Sequence, residues 1–186
     1  PDLVHNNELI EGILVLHKAL SPTSDYFSND EGLTKVCSAF SKIAKTDIVK
    51  YNPYFMSNIV STLTQTCISR ENNLTEISDI ISQIIQTDGI KDNPNLAHNI
   101  INSFVQTCIS RGNNLTEIGD TISRINKINK ENGGPDLVNN NKLIEGILVL
   151  NEAISPKSDY FSNDEGLTKI SDAFSKIAGT TTIDIS

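Results

Sequence analysis

Two identical stretches of the sequence collect the oxygen-bearing side chains that could hold a metal ion. Ser24–Gly32 and Ser158–Gly166 each contain two aspartates, one asparagine and one glutamate within nine residues. Such oxygens suit calcium, but a calcium loop of the EF-hand type requires alternating ligands, a central glycine and a terminal glutamate. Neither stretch has that spacing, so the sequence does not predict a metal site.

The strongest potential nucleophiles are the thiols of Cys37, Cys67 and Cys108. Cys67 and Cys108 occupy the same place in two copies of a repeat, on the apolar face of a predicted helix, whereas Ser171 replaces Cys37 in its sister copy. Unpaired thiols in such positions are typical of small core residues. We therefore expect neither a disulfide nor a cysteine-based metal site.

Other catalytic patterns are missing from the sequence. There is no G-x-S-x-G motif, no cysteine has a histidine at a diagnostic spacing, and Gly133-Gly134 lacks the lysine and hydroxyl residue of a phosphate-binding loop. The histidines belong to no repeated site, because the sister positions of His5, His17 and His98 hold Asn139, Asn151 and Ser57. The expectation is a protein that is not an enzyme, with no catalytic residues, no cofactor and no metal.

The aromatic pairs of the duplicated loops are the candidate protein-contact residues: Tyr26, Phe27, Tyr160 and Phe161. Exposed aromatic side chains often anchor protein interfaces. The alternative is that Tyr26 and Phe27 pack against their own helix pair while Asn29 or Asp30 caps the following helix. The sequence leaves both interpretations open.

These loops are attached to a helical pattern that occurs four times. The copies begin at Leu33, Leu74, Leu115 and Leu167, and each has a large apolar residue at steps 0, 3, 7 and 10. That spacing places the apolar side chains on one face of an α-helix. Asn73 with Glu76 and Asn114 with Glu117 match the capping-box pattern and also account for the two Asn-Leu-Thr triplets, which resemble glycosylation acceptors.

The four copies define four repeat units of two helices each, about 1–46, 52–88, 93–129 and 135–180, within a single domain, 1–186. The outer units are near copies of each other, and so are the inner units. The first helices of the inner units start at Asn52-Pro53 and Asn93-Pro94, a typical N-cap followed by proline. The predicted turns between units lie at 45–51, 88–89 and 132–134. We refer to the units, in order, as A, B, B′ and A′.

The first helices also carry apolar stripes that should face inward. In B and B′ these stripes have equivalent positions, and in A and A′ they contain matched glycines, Gly12 and Gly146, which favour close contact between helices. The inward residues are Leu9, Ile10, Ile13 and Leu16 in A; Phe55, Ile59, Val60, Leu63 and Cys67 in B; Leu96, Ile100, Ile101, Phe104 and Cys108 in B′; and Leu143, Ile144, Ile147 and Leu150 in A′.

A pair of helices cannot bury its own stripe, but stacked pairs share a continuous core. The predicted fold is therefore all-α: eight helices in four antiparallel helix-loop-helix repeats, stacked as a short α-solenoid or repeat bundle. The central residues Ile81 and Ile122 should lie in that core, whereas Gln83 should lie at the surface.

The composition restricts the classes of partner that this chain is expected to bind. The net charge is −8 and the pI is near 4.8, without the basic stripe that nucleic acids or anionic membranes attract. No apolar run approaches the length of a spanning helix. The sequence starts with Pro1 at a unit boundary, has its only Met at position 56 and lacks a signal peptide, so we expect a soluble fragment of a longer protein.

The chain resembles the helical-repeat domains in the passenger region of the rickettsial surface autotransporter that assembles actin. The resemblance covers essentially the whole chain and lies in the helices containing LTEISD from Leu74 and LTKISDAF from Leu167, in the X-Pro helix starts, and in the richness in Ile, Asn and Ser. The family's proline-rich and monomer-binding segments are absent from this sequence, and no residue can be carried over as actin-binding.

The resemblance implies a protein-interaction module at the bacterial cell surface or in a secreted passenger region. It would take part in virulence by helping to nucleate and elongate host actin filaments, and its partner would be actin or another repeat module of the same chain. The alternative is a generic α-solenoid adaptor that binds an unrelated protein through its concave face. Neither interpretation involves nucleic acid or membrane insertion of this fragment.

Overall fold

A computed structural model describes residues 3–181, with the side chains of residues 7–52 and 54–180. This part of the chain is all-α, as predicted, and contains no strand. The nine α-helices are α1 (Leu3–Ala19), α2 (Asp30–Ala44), α3 (Asp47–Tyr51), α4 (Pro53–Ser69), α5 (Leu74–Ile85), α6 (Pro94–Ser110), α7 (Leu115–Glu131), α8 (Lys142–Ala153) and α9 (Asp164–Thr181), with a 3-10 helix at Tyr160–Ser162. His5 lies outside the described side chains.

The short helix α3 is absent from the predicted set of eight. It lies in the segment 45–51 that we expected to be a turn. Thr46 precedes it in an extended conformation, Asp47 lies in its first turn, and the buried Thr46 hydroxyl donates a hydrogen bond to the Ile43 carbonyl at 2.6 Å. A carboxylate in the first turn is favourable because it faces the positive end of the helix dipole. The residues that start α3 are adjacent in the sequence. The helix was still not predicted, because five residues are too few to show helical periodicity.

The helix starts follow the predicted caps except at Asn52 and at Asn114, where only half of the predicted capping box with Glu117 forms. The Asn73 side chain accepts a hydrogen bond from the Glu76 amide at 2.9 Å, and Glu76 accepts one from the Asn73 amide at 3.1 Å, so the capping box is formed. Asn114 caps α7 and Asn93 caps α6 through the amides of Glu117 and Leu96. Asn52 makes no such bond from its side chain, so α4 begins with Pro53 alone.

The core is formed where helices of successive units meet. The pairs in contact include α4 with α6, α5 with α7, α2 with α5, and α7 with α8. Ile81 and Ile122 are fully buried, as predicted, and Gln83 is exposed. Cys67 and Cys108 are also fully buried and unpaired, which confirms the prediction that they are core residues, whereas Cys37 is half-buried.

The predicted inward face of α1 is only partly correct. Leu16 is 5% exposed and Leu9 is half-buried, but Ile10 and Ile13 are 55% and 41% exposed. The sister residues Ile144 and Ile147 are buried, because α8 packs against α7 of the preceding unit. On α1, Ile13 instead lines an open groove beside α4.

Gly12 and Gly146 allow the two helices of each outer unit to approach closely, as their matched positions suggested. A Cβ atom on Gly12 would lie 2.8 Å from Ile43 and 3.1 Å from the Ala39 carbonyl, and one on Gly146 would lie 2.9 Å from the Ala173 carbonyl. The glycines therefore leave room for the isoleucine side chain and the alanine carbonyl of the facing helix. In each unit a lysine of the second helix spans the same contact: Lys42 pairs with Glu11 at 2.5 Å and Lys176 with Glu145 at 2.7 Å.

The connection from B′ to A′ is held by Asp136. Its carboxylate accepts hydrogen bonds from the amides of Val138 and Asn139 at 2.9 and 3.1 Å and from the Lys130 ammonium at 2.8 Å. These bonds, led by that of Lys130, lower the pKa of Asp136 to about 2. The connection turns the chain from α7 into α8, so the ionised carboxylate helps to fix the junction between these units.

The buried apolar stripe generates the first prediction. Ile81→Ala and Ile122→Ala should each lower the free energy of unfolding by about 2 to 5 kcal/mol, because each removes fully buried methylene and methyl groups. Gln83→Ala is the matched control on α5 and should change it by no more than about 0.5 kcal/mol. Denaturant unfolding followed by circular dichroism measures all three. Equal, small losses in all three variants would show that α5 and α7 are oriented differently.

The second prediction concerns pH. Because the pKa of Asp136 is lower in the folded chain than its ordinary value of 3.8, its contribution to stability is present above that value and is lost as pH falls towards about 2. A carboxyl-selective NMR titration of the folded chain should give a midpoint near 2. In the Asp136→Asn variant this part of the acid dependence should disappear, and a midpoint near 3.8 in the parent chain would contradict the proposed hydrogen bonding.

Candidate functional site

The two duplicated loops fold alike. In each loop the asparagine before the second helix accepts a hydrogen bond from the glycine amide at 2.7 Å, so Asn29 and Asn163 are the caps. A Cβ atom on Gly32 would lie 2.4 Å from the Tyr26 backbone, and one on Gly166 would lie 2.3 Å from the Tyr160 backbone. Each loop therefore lies directly on the start of its helix, and the glycine is required for that contact.

Both tyrosines remain close to their own helix pair. Tyr26 and Tyr160 are half-buried, and the ammonium groups of Lys35 and Lys169 lie 5.8 and 5.4 Å from the ring centroids. Glu152 beside the Tyr160 hydroxyl raises the pKa of that group. The alternative prediction, that the loop packs on its helix pair, therefore describes the tyrosines well.

The two phenylalanines differ although their loops are identical. Phe27 is 8% exposed, and the Arg70 guanidinium lies 5.6 Å from its ring centroid. Phe161 is 64% exposed. Phe27 thus makes a contact within the chain, and Phe161 is the aromatic ring of the two loops that is free to meet a partner. Binding by these loops remains a prediction.

Phe161 belongs to a larger exposed apolar surface on A′, which we call the terminal face. Its large members are 48–64% exposed, whereas their sister residues in A belong to the core or pack against it. The pair Phe174 and Phe40 shows the difference best, because the first is 61% exposed and the second is fully buried. The terminal face consists of Ile154, Phe161, Leu167 and Phe174, with the half-buried Ile170 among them.

Unit B covers the sister surface on A. Helix α2 contacts α3 and α5, and Arg70, at the end of α4, donates hydrogen bonds to the carbonyl oxygens of Ala19 (3.3 Å) and Ser21. The C-terminal end of a helix carries partial negative charge on its unpaired carbonyls, which suits a guanidinium. Arg70 therefore joins the end of α1 to unit B and lies over Phe27 at the same time.

A separate apolar groove lies between α1 and α4. Its volume is about 400 Å³, and its lining is largely aliphatic and aromatic. Ile13 and Leu20 line it from unit A, and Phe55 and Ile59 from unit B. This groove is the second surface on which a partner could bury apolar groups.

The described side chains also bear on whether the chain has a metal site or a reactive thiol. Among the residues that the structure describes, no group of three or more His, Cys, Asp and Glu side chains is placed to hold a metal ion. Burial raises the pKa of Cys37 and Cys67 to about 11 and that of Cys108 to about 12, so these thiols are poor nucleophiles at neutral pH. In residues 3–181 no helix has the length and apolar character needed to cross a membrane.

Comparisons with known proteins give no further assignment. No protein family, no curated protein and no solved structure matches this chain.

Sequence reasoning missed the terminal face because it treated the near-identical units A and A′ as equivalent. The available signal was their order: A precedes an inner unit, whereas A′ follows one. The same apolar residues must therefore meet different neighbours. Ile154, Leu167 and Phe174 could have been recognised in this way.

The sister phenylalanines provide the third prediction. Phe40→Ala should lower the free energy of unfolding by about 3 to 5 kcal/mol, because it empties a fully buried site. The identical change Phe174→Ala should cost less than about 1 kcal/mol, because most of that ring already faces solvent. Denaturant unfolding compares the two variants directly, and equal losses would mean that the ring of Phe174 is covered in solution.

Proposed function

We propose that this chain is a non-enzymatic helical-repeat module that binds protein. The observation that carries the proposal is the terminal face, where four large apolar side chains are exposed together. Contiguous exposed apolar surface of this kind marks interaction sites in folded proteins, and aromatic side chains are prominent among residues that dominate binding energy. Phe161 and Phe174 are the two aromatic anchors of this surface.

The charge around the terminal face supports a partner with basic groups. Asp159, Asp164, Glu165 and Asp172 are exposed on the same unit, and the whole chain carries a net charge of −8. Exposed acidic groups of this kind steer a partner that presents a basic group, such as an arginine, during encounter. Lys169 pairs with Glu165 at 2.9 Å and offsets part of that charge.

The partner that we propose is actin or another repeat module, in the setting of a bacterial surface protein. The support for this identity is the resemblance of the repeated helices to the actin-assembling surface autotransporter of rickettsiae. In that setting the module would contribute to host filament nucleation and elongation together with segments outside this chain.

The second candidate function is that of an adaptor for an unrelated protein. The apolar groove between α1 and α4 favours it, since a groove of about 400 Å³ with Phe55 and Ile59 on one wall can take an apolar side chain or a short helix. The two functions use different surfaces, which makes them separable by substitution.

The fourth prediction tests the proposed function with purified actin. Replacing Phe161 and Phe174 together with Ser should weaken binding by about 30-fold or more, the effect of losing a binding hot spot, and should slow any actin assembly that the chain promotes. The melting temperature should change little, because both rings are mostly exposed. Sedimentation binding assays and assembly kinetics measure the effect.

The matched control is Tyr51→Ser, which removes an aromatic ring that is 76% exposed on α3 and should leave binding unchanged. Weakened binding in an Ile59→Ser variant, with the Phe161 and Phe174 double variant unaffected, would move the interface to the groove between α1 and α4. If the parent chain does not bind actin at all, the actin assignment is wrong.

A further inference from the structure

We propose that the terminal face binds a helix pair of the same type as α4 and α5, with the short helix α3 before it. The inference rests on the proposed protein-binding function and identifies the chemistry of the partner. The occupant is a further repeat unit with the sequence character of residues 47–87. It would pack on α9 as unit B packs on α2.

The first support is that the chain already shows what covers this surface. Leu33, Phe27 and Phe40 of unit A recur as Leu167, Phe161 and Phe174. In A these residues lie in or against the core beside unit B, whereas in A′ they are 48–64% exposed. Two of the remaining positions change conservatively, from Leu20 to Ile154 and from Val36 to Ile170. Cys37, beside α5, is replaced by Ser171, so the surface that received unit B recurs in its large apolar residues rather than in every side chain.

The second support is the polar part of the same contact. Arg70 of unit B donates to the carbonyl oxygens of Ala19 and Ser21 and lies over Phe27. The sister residues Ala153, Ser155 and Phe161 provide the same carbonyls and the same ring on A′. An arginine at the end of the partner's first helix would thus meet two acceptors and an aromatic face.

The third support is that the arginine contact recurs within the chain. Arg111, the sister of Arg70 in unit B′, donates to the hydroxyl of Ser69 at the end of α4. At both junctions the arginine that follows the first helix of one unit reaches the end of the first helix of the preceding unit. A unit without this arginine would lack the directional part of the contact, so the proposed occupant must carry it.

A second copy of this chain is a less suitable occupant than a further unit. In every copy, α3 and α5 already contact α2 of the same copy, and Arg70 already bonds the carbonyl oxygens of Ala19 and Ser21 after α1. The free surfaces of a second copy present other residues. The proposal therefore commits to an additional helix pair of the α4–α5 type.

The test is a fusion in which residues 1–180 are joined to a second copy of residues 47–134. Thr180 is the sister of Thr46, so the junction reproduces the natural passage from unit A to unit B. The fusion carries Ser171→Cys, which places a thiol at the sister position of Cys37. Cys37 lies beside Asp79 and Ser82 of α5 and is half-buried, whereas Ser171 is exposed.

The reaction rate of the introduced thiol with an alkylating reagent reports whether the face is covered. Peptide mass spectrometry separates its rate from that of Cys37, which serves as the internal reference. In the fusion the rate should fall by about tenfold or more relative to the 186-residue chain with the same Ser171→Cys change, because burial lowers both access and the thiolate fraction. The far-UV circular dichroism signal should rise with the added helices.

Two control fusions make the outcome specific. Changing the appended arginine that repeats Arg70 to Ala should restore part of the fast reaction, and Phe174→Asp on the terminal face should restore most of it. An unchanged rate in the unmodified fusion overturns the proposal. Failure of the appended segment to become helical also counts against it, because the face should support the folding of that segment as α2 does.

The remaining outcomes separate other occupants. If the thiol in the 186-residue chain becomes protected as chain concentration rises, a second copy covers the face and the proposed occupant is wrong. No actin is present in the fusion experiment. An unprotected thiol together with actin binding that depends on Phe161 and Phe174 would therefore overturn only the helix-pair occupant and leave the proposed protein-binding function standing.

Discussion

The fold depends on one constraint: a pair of helices with one apolar stripe on each helix cannot remove both stripes from water without a neighbouring pair. Fully buried residues such as Ile81, Phe104 and Ile122 therefore lie on helices that contact the next or the preceding unit. Burying one such side chain contributes about 1.5 to 3 kcal/mol, and the junctions between units are where many of these side chains are buried.

Directional polar contacts help to fix how the packed helices align with one another. Arg70 and Arg111 reach the ends of preceding helices, and Arg124 binds Asp79 between α7 and α5 through two hydrogen bonds of 2.9 and 3.1 Å. The Arg124 and Asp79 pair is 43–47% exposed, so its net contribution to stability is small. The pair instead helps to align the two helices, because both of its hydrogen bonds form in only one alignment of α5 and α7.

The sequence was informative about local structure and less so about burial. Periodicity and capping act within a few residues, so the second helices and the capping box at Asn73 could be predicted from neighbouring side chains. The helix α3 was not predicted because it is shorter than two turns. The exposure of Ile10 and Phe174 was not predicted for a different reason. It depends on which unit lies alongside each helix, and the residues of that unit are far away in the sequence. The same non-local dependence explains why Phe27 and Phe161 have different surroundings in identical loops.

The near identity of the outer units has a consequence for how such a chain can change in length. Because A and A′ are so similar, an array of these units can be extended or shortened at them by one block of three units. Each new junction would join a unit of type A to B, B to B′, or B′ to A, all of which the present structure already contains. Arrays of these units can therefore differ in length by whole blocks while every junction keeps an interface of a kind that this chain already has.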